Sequence, residues 1–329
     1  MKTLFDKTQL RQMTLKNRFI RAAIGEKTTD GQVNEHILKI YKELAEGGTG
    51  TLITGFTLVD RAEKSFPLMA FYNDSFFEGH KKLTNLVHEY NANIILQLVY
   101  VGSYIMGEAT GMTILAPSVV ENLNTKIIPQ EITVDQIKNI QQKFAAAAVR
   151  AKTAGYDGVE IHAAHGFLLS QFITPHYNRR MDLYGGSVAN RARMSLETYE
   201  AIRKSVGKDF PVLIKINASD GFENGVPFED VLYLCQELAK RGIDAIEISG
   251  AWGKFTQDSR SFFKNEAKKI AAANTAKIIM TGGNRDFKEM TEILNNTKIE
   301  YFGIARPLAK EPDLINRFEK EYKYKEECL

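Results

Sequence analysis

The sequence predicts an α/β protein, a (β/α)8 barrel with an N-terminal cap and an insertion after the third strand. Short runs rich in β-branched residues alternate with helix-length amphipathic stretches through all 329 residues, as parallel strands joined by crossover helices do. The alternation repeats about eight times, and a barrel of about 250 residues with added loops fits the length. A doubly wound open sheet is the competitor, but no Gly-x-Gly-x-x-Gly turn follows any strand. No composition break marks a second domain, so residues 1–329 read as one unit.

Taken in order, Leu4 to Leu15 precede the first strand and are expected to close the N-terminal end of the barrel. Strands are expected at 19–23, 51–57, 94–99, 158–162, 212–217, 245–249, 277–281 and 301–305, where β-branched and apolar residues cluster in short runs. Helices are expected near 35–46, 75–90, 134–154, 189–206, 227–241, 263–273, 286–295 and 312–322. The third of these contains KFAAAAVRAKTAG, strongly helical and closed by Gly155. Residues 100–133 are too long for an ordinary connection and are expected to cover the barrel mouth. The mixed charges of 319–327 read as a solvated helix end.

Apolar residues make up 44% of the chain, ample for a core. The net charge of +3 comes without a basic block, so nothing favours nucleic acid. The first residues, MKTLFDKTQLRQMTLKNRF, lack the apolar core of a signal peptide, and no run is long enough to cross a bilayer. Cys235 and Cys328, far apart, argue against a disulfide framework and against an iron–sulfur site. A cytoplasmic protein is expected, with homo-oligomerisation left open.

The densest chemistry lies at 160–197. His162 and His165 stand just beyond a short apolar strand, followed by a loop holding His176, Asn178, Arg179, Arg180, Asp182, Gly185, Gly186, Asn190, Arg191 and Arg193. A connection this long and polar is read as functional. A His-x-x-His pair alone can be core or capping histidines. A metal site would need a further ligand, and the HExxH pattern is absent, so no metal is expected. The third reading is a pair of imidazoles donating to one substrate oxygen.

His162-Ala163-Ala164-His165-Gly166-Phe167-Leu168, then Pro175, Asn178, Arg180, Asp182, Tyr184-Gly185-Gly186-Ser187 and Asn190-Arg191, closely resembles the old yellow enzymes. These are FMN-dependent NAD(P)H oxidoreductases, also called ene-reductases. The resemblance implies that His162 and His165 are catalytic, polarising the oxygen of an α,β-unsaturated carbonyl compound, quinone or similar small-molecule acceptor. NADH or NADPH would pass hydride to flavin N5, and the flavin would pass it on. Ala23, Ile24 and Gly25, ending a first strand like the family's, would lie under the flavin. Gln97 would bond its pyrimidine, and Lys215, where the family usually has arginine, would face its N1/O2 edge. A buried lysine is costly unless paired, and Asp220 or Glu247 is the structural alternative. Gly282 and Gly283 end one strand, and Ala305 and Arg306 the next, where a barrel binds phosphate; adjacent glycines are also ordinary turn residues.

Three departures stand out. The family's proton-donating tyrosine, two residues after the second histidine, is Phe167 here, which has no proton to give. Tyr100, Tyr177 or water would have to deliver it, unless the acceptor needs none. Gly25 stands where many relatives carry a Thr or Cys that tunes the flavin. Tyr100 and Ser103 replace a histidine and an arginine of one branch, whose arginine takes part in the branch's dimer. Tyr100, Phe167, Tyr177 and Trp252 are candidate pocket residues, with packing an equal reading for Trp252. The alternatives are a flavin-binding storage or sensor protein with little turnover, or another FMN barrel reductase such as a dihydrouridine synthase, which would need a basic face. The larger iron–sulfur relatives that reduce dienoyl-CoA carry a cysteine cluster that this sequence does not show.

Overall fold

The computed structural model describes residues 1–63, 66–104, 113–250 and 260–327. Eight parallel strands close into a barrel: β1 (Phe19–Arg21), β2 (Thr51–Ile53), β3 (Asn93–Val99), β4 (Gly158–Ala163), β5 (Val212–Asn217), β6 (Ala245–Ser249), β7 (Lys277–Thr281) and β8 (Ile299–Ile304). Each pairs with the next, and β8 pairs with β1. Every expected strand is present. The first two are shorter than expected because a buried Arg21–Glu26 pair turns the chain off the ladder after β1, and Gly55 after β2 binds the same carboxylate.

The helices surround the barrel, from Glu35–Glu46 to Leu314–Glu327. The long helix Val134–Thr153 opens with a capping box between Thr133 and Gln136 and ends at Gly155, whose φ of +93° suits glycine. The last helix runs past the expected 322. Ion pairs Arg317–Glu321 and Lys323–Glu319, four residues apart, support that extension.

The N-terminal segment closes the barrel bottom as expected. Strands Thr8–Leu10 and Met13–Leu15 form an antiparallel hairpin. Leu10, Met13 and Leu15 join inward-facing Ile20, Ile53, Ile95, Leu213, Ala245, Ile279 and Tyr301 in one apolar cluster. At the turn, Arg11 binds Asp244, which also accepts the Val212 amide at 2.8 Å and so ties the cap to β5 and β6.

Side chains two residues apart share a strand face. One step above the apolar floor the inward positions are therefore Gln97, Glu160, Lys215, Glu247 and Thr281, all buried. A second step brings His162, Asn217 and Ser249 to the C-terminal ends of their strands. The barrel is thus apolar below and polar above.

Candidate active site

Lys215 Nζ lies 2.8 Å from Glu247 Oε1, with the two side chains 3% and 0% exposed. Of the two carboxylates expected from sequence, Glu247 is the partner. Asp220 instead accepts from Thr174 at 2.7 Å, Val226 N at 2.8 Å and Asn217 Nδ2 at 2.8 Å. Gln97 Nε2 donates to Glu160 Oε2 at 2.6 Å, leaving Gln97 Oε1 buried without a donor. Burial, then the charge of Glu247, pushes the Glu160 carboxyl well above its usual range. Burial acts in the same sense on Glu247, but the Lys215 ammonium outweighs it and holds that carboxylate low.

His162 Nδ1 accepts the Ala164 amide at 3.3 Å, which places its proton on Nε2. That Nε2 is buried and has no hydrogen-bond partner among the described residues, so it is open to donate to a bound molecule or a water. The His165 ring stands edge-on to it, centroids 5.1 Å apart, with Nε2 3.0 Å from Ser249 Oγ. His165 adopts φ +59°, a region costly for a side chain. Asn217 holds it there by accepting its amide at 3.0 Å.

Burial, with the neighbouring Lys215 cation, keeps both imidazoles neutral and moves His165 down to about 3. An unfolded chain would protonate them near 6.5. The unfolded state therefore binds more protons below that value. This contribution to stability is full above about pH 6.5 and declines as pH falls toward the folded values. The NMR resonances of both rings are expected to hold constant between about pH 5 and about pH 8; an inflection near 6.5 would mean a charged imidazole in the site.

Ala23, Ile24 and Gly25 are partly exposed beyond β1. A Cβ on Gly25 would come within 2.8 Å of the Phe56 ring, so Phe56 occupies the space that a side chain at 25 would need. Phe56 also packs on His162 and Phe167, at 5.5 and 5.3 Å between centroids. Beneath this segment, Glu26 pairs with Arg21 and accepts Gly55 N at 2.8 Å and Tyr41 Oη at 3.1 Å.

Gly282 and Gly283, with φ +117° and +77°, follow β7; Ala305 and Arg306 follow the neighbouring β8. Loop residues Ser261 and Phe262 donate to the two glycine carbonyls, at 3.3 and 3.0 Å. A Cβ at Gly283 would lie 2.7 Å from Ser261 N, so this turn admits only glycine. Arg306 is exposed and makes no ion pair among the described residues.

Phe167 sits edge-on to His162 at 4.7 Å. The expected pocket residues otherwise lie elsewhere or do other work. Tyr100 is packed in the outer core with Glu63 and Asp60 as charged neighbours, and its ring meets neither histidine among the described residues. Tyr177 uses its hydroxyl to accept Leu123 N at 3.3 Å, holding the insertion against the loop. Trp252 lies outside the described residues. Tyr104, not singled out from sequence, stands edge-on to Phe167 at 5.6 Å. Its hydroxyl has no partner among the described residues, and burial raises its pKa, so it stays protonated.

Much of the polar loop is structural, a correction to its reading as functional. Asn178 Nδ2 donates to Phe172 O and Tyr184 O at 2.6 and 2.7 Å. Arg180 binds Asp182 and the carbonyls of Pro117 and Ile132, and Arg191 binds Asp230. These contacts pin the insertion and fold the loop.

The model of the NADH:flavin oxidoreductase / NADH oxidase family matches residues 3–325. The chain belongs to that family. It is 31% identical to a metal reductase of Desulforamulus reducens, over 96% of this chain and 48% of that protein. It is likewise 31% identical to an NADPH dehydrogenase of Bacillus velezensis, over 97% of this chain and 94% of the other. The solved structure of morphinone reductase superposes with a TM-score of 0.83 at 26% identity, covering 97% of this chain and 90% of that one. The chain spans about half the length of several curated relatives it matches. Family membership fits a barrel with buried atoms unpartnered among the described residues, on His162 at its mouth and on Gln97 in the layer below. The residues that sequence reasoning missed are Glu160, Phe56 and Tyr104. No helix among the described residues is long and apolar enough to cross a membrane, and none of their His, Cys, Asp and Glu side chains cluster in threes to hold a metal.

Proposed function

We propose that the chain is an FMN-dependent NAD(P)H oxidoreductase that reduces an α,β-unsaturated carbonyl compound, a quinone or a similar small acceptor. The observation that carries this reading is the buried, unpartnered Nε2–H of His162 at the mouth of a barrel with Gln97 and Lys215 in the layer below. Ala23, Ile24, Gly25, Gln97 and Lys215 would hold the flavin ring, and Gly282, Gly283, Ala305 and Arg306 its phosphate. The Gln97 oxygen, unpartnered among the described residues, fits a pyrimidine N–H, and the exposed Arg306 guanidinium, which makes no ion pair among them, fits an anion. When bound, FMN supplies the capacity to take hydride from NADH or NADPH and give it to the acceptor.

The protein's own part is to bind and polarise. His162 donates from Nε2, and Ser249 can fix the His165 tautomer that carries its proton on Nδ1. Neutral donors aimed at a developing oxyanion stabilise it without reorganisation. Phe56 and Phe167 wall the site with apolar surface that excludes water. Tyr104 is the group best disposed to give the proton that Phe167 cannot. A cytoplasmic location suits this chemistry.

Tyr104→Phe is expected to slow reoxidation of the reduced protein by 2-cyclohexenone about a hundredfold, the usual worth of a positioned acid. Reoxidation by a quinone, which takes its protons on oxygen, should change little. Equal slowing with both acceptors would count against Tyr104 as the acid. Negligible NAD(P)H oxidation with every acceptor would favour a flavin-binding protein of little turnover.

A further inference from the structure

Two acids and one cation share the layer beneath the histidines. Lys215 contacts Glu247 at 2.8 Å, and Gln97 holds one oxygen of Glu160 while the other, Oε1, has no donor. The groups around the pair are Lys215 from β5, Thr281 from β7 and His165 from the loop after β4 at Glu247, Gln97 from β3 at Glu160, and His162 from β4 beside Lys215. With both acids ionised the trio would carry a net negative charge away from water, which is strongly unfavourable. One proton on the acid pair makes it neutral. Burial and the Glu247 charge put that proton on Glu160.

Lys215 is therefore already matched by a carboxylate. If it faces the pyrimidine edge of FMN, a negative charge arriving there meets a neutral trio and not a free cation. We infer that the Glu160–Glu247 pair takes up one proton from solvent when FMN in this site is reduced, making the trio a proton-coupled counter-ion. The inference rests on the FMN reading above. The balance is simple. NAD(P)H loses a hydride and becomes NAD(P)+, and FMN gains those two electrons with their proton. One solvent proton forms an O–H bond on Glu247, releasing Lys215 to face the new charge.

The test is the midpoint potential of the FMN-loaded protein between about pH 7 and about pH 9. For a two-electron couple each proton taken up adds about 30 mV per tenfold change in proton activity. The wild type is expected to change by about 60 mV per pH unit, and a fixed cation would give about 30 mV. Glu160→Gln should keep the steeper slope, and Glu160→Gln with Glu247→Gln should fall to the shallower one. A shallow wild-type slope, or a steep one in the double variant, would overturn the inference while leaving FMN binding intact. Apoprotein that binds no FMN would overturn both readings. Should the double variant not fold, the wild-type reduced-minus-oxidised infrared spectrum decides: a new protonated-carboxyl band is expected, and its absence refutes the inference.

Discussion

With His162 and His165 both replaced by alanine, the protein is expected to retain FMN and to bind 4-hydroxybenzaldehyde at least about a hundredfold more weakly. Each hydrogen bond to a charged oxygen is worth about 1.5–3 kcal/mol, and two of them exceed the roughly 2.8 kcal/mol that a hundredfold represents. The geometry supports a specific loss. The His162 Nε2 proton has no partner among the described residues, so His162→Ala costs the fold only the 3.3 Å bond that Nδ1 accepts from the Ala164 amide. His165→Ala also removes the contact with Ser249, but the Asn217 bond to the backbone of 165 can persist. FMN contacts are assigned to other side chains, so the cofactor should stay. Titration of the flavin absorption with the phenol checks this; parent-like affinity would refute the oxygen-clamp role.

Glu26→Ala is expected to destabilise the fold by about 3–5 kcal/mol, the effect of leaving a buried charge without its partner. Arg21 is 3% exposed and Glu26 7% exposed. The carboxylate also holds Gly55 N and the Tyr41 hydroxyl, so both ends of the segment beneath the proposed flavin would lose their anchor. Arg21→Met with Glu26→Met should recover part of the loss, because neither charge is then buried alone. Urea unfolding of the three proteins measures it. A loss below about 1 kcal/mol for Glu26→Ala would show that the pair adds little.

The fold was legible because parallel strands buried on both faces read as apolar runs, and their spacing alone sets eight repeats. The inner polar layer was also written in the strands, in V-E-I-H, I-K-I-N and I-E-I-S, where polar residues recur at every second position. That alternation identifies Glu160 and Glu247 as inward-facing beside Lys215. The lysine draws attention as an isolated charge and brings Glu247 with it as a partner, whereas Glu160 falls inside a run that reads simply as strand. Phe56 was not legible, since its contact with Gly25 depends on how two loops meet above the barrel. The loop 174–191 misled for a physical reason. Arg180 and Asn178 bind backbone carbonyls, and composition cannot tell such a side chain from one that reaches a ligand. Tyr100 and Tyr104 lie on either side of a turn at Gly102, φ +70°, whose course decides which of them approaches Phe167.

Anaerobic mixing with NADPH or NADH, followed by addition of an acceptor, tests the central claim most directly. The protein loaded with FMN is expected to be yellow, to bleach with one of the two nucleotides, and to regain its colour when a quinone or 2-cyclohexenone is added. A protein that takes up no FMN, or whose flavin stays oxidised with both nucleotides, would contradict the account.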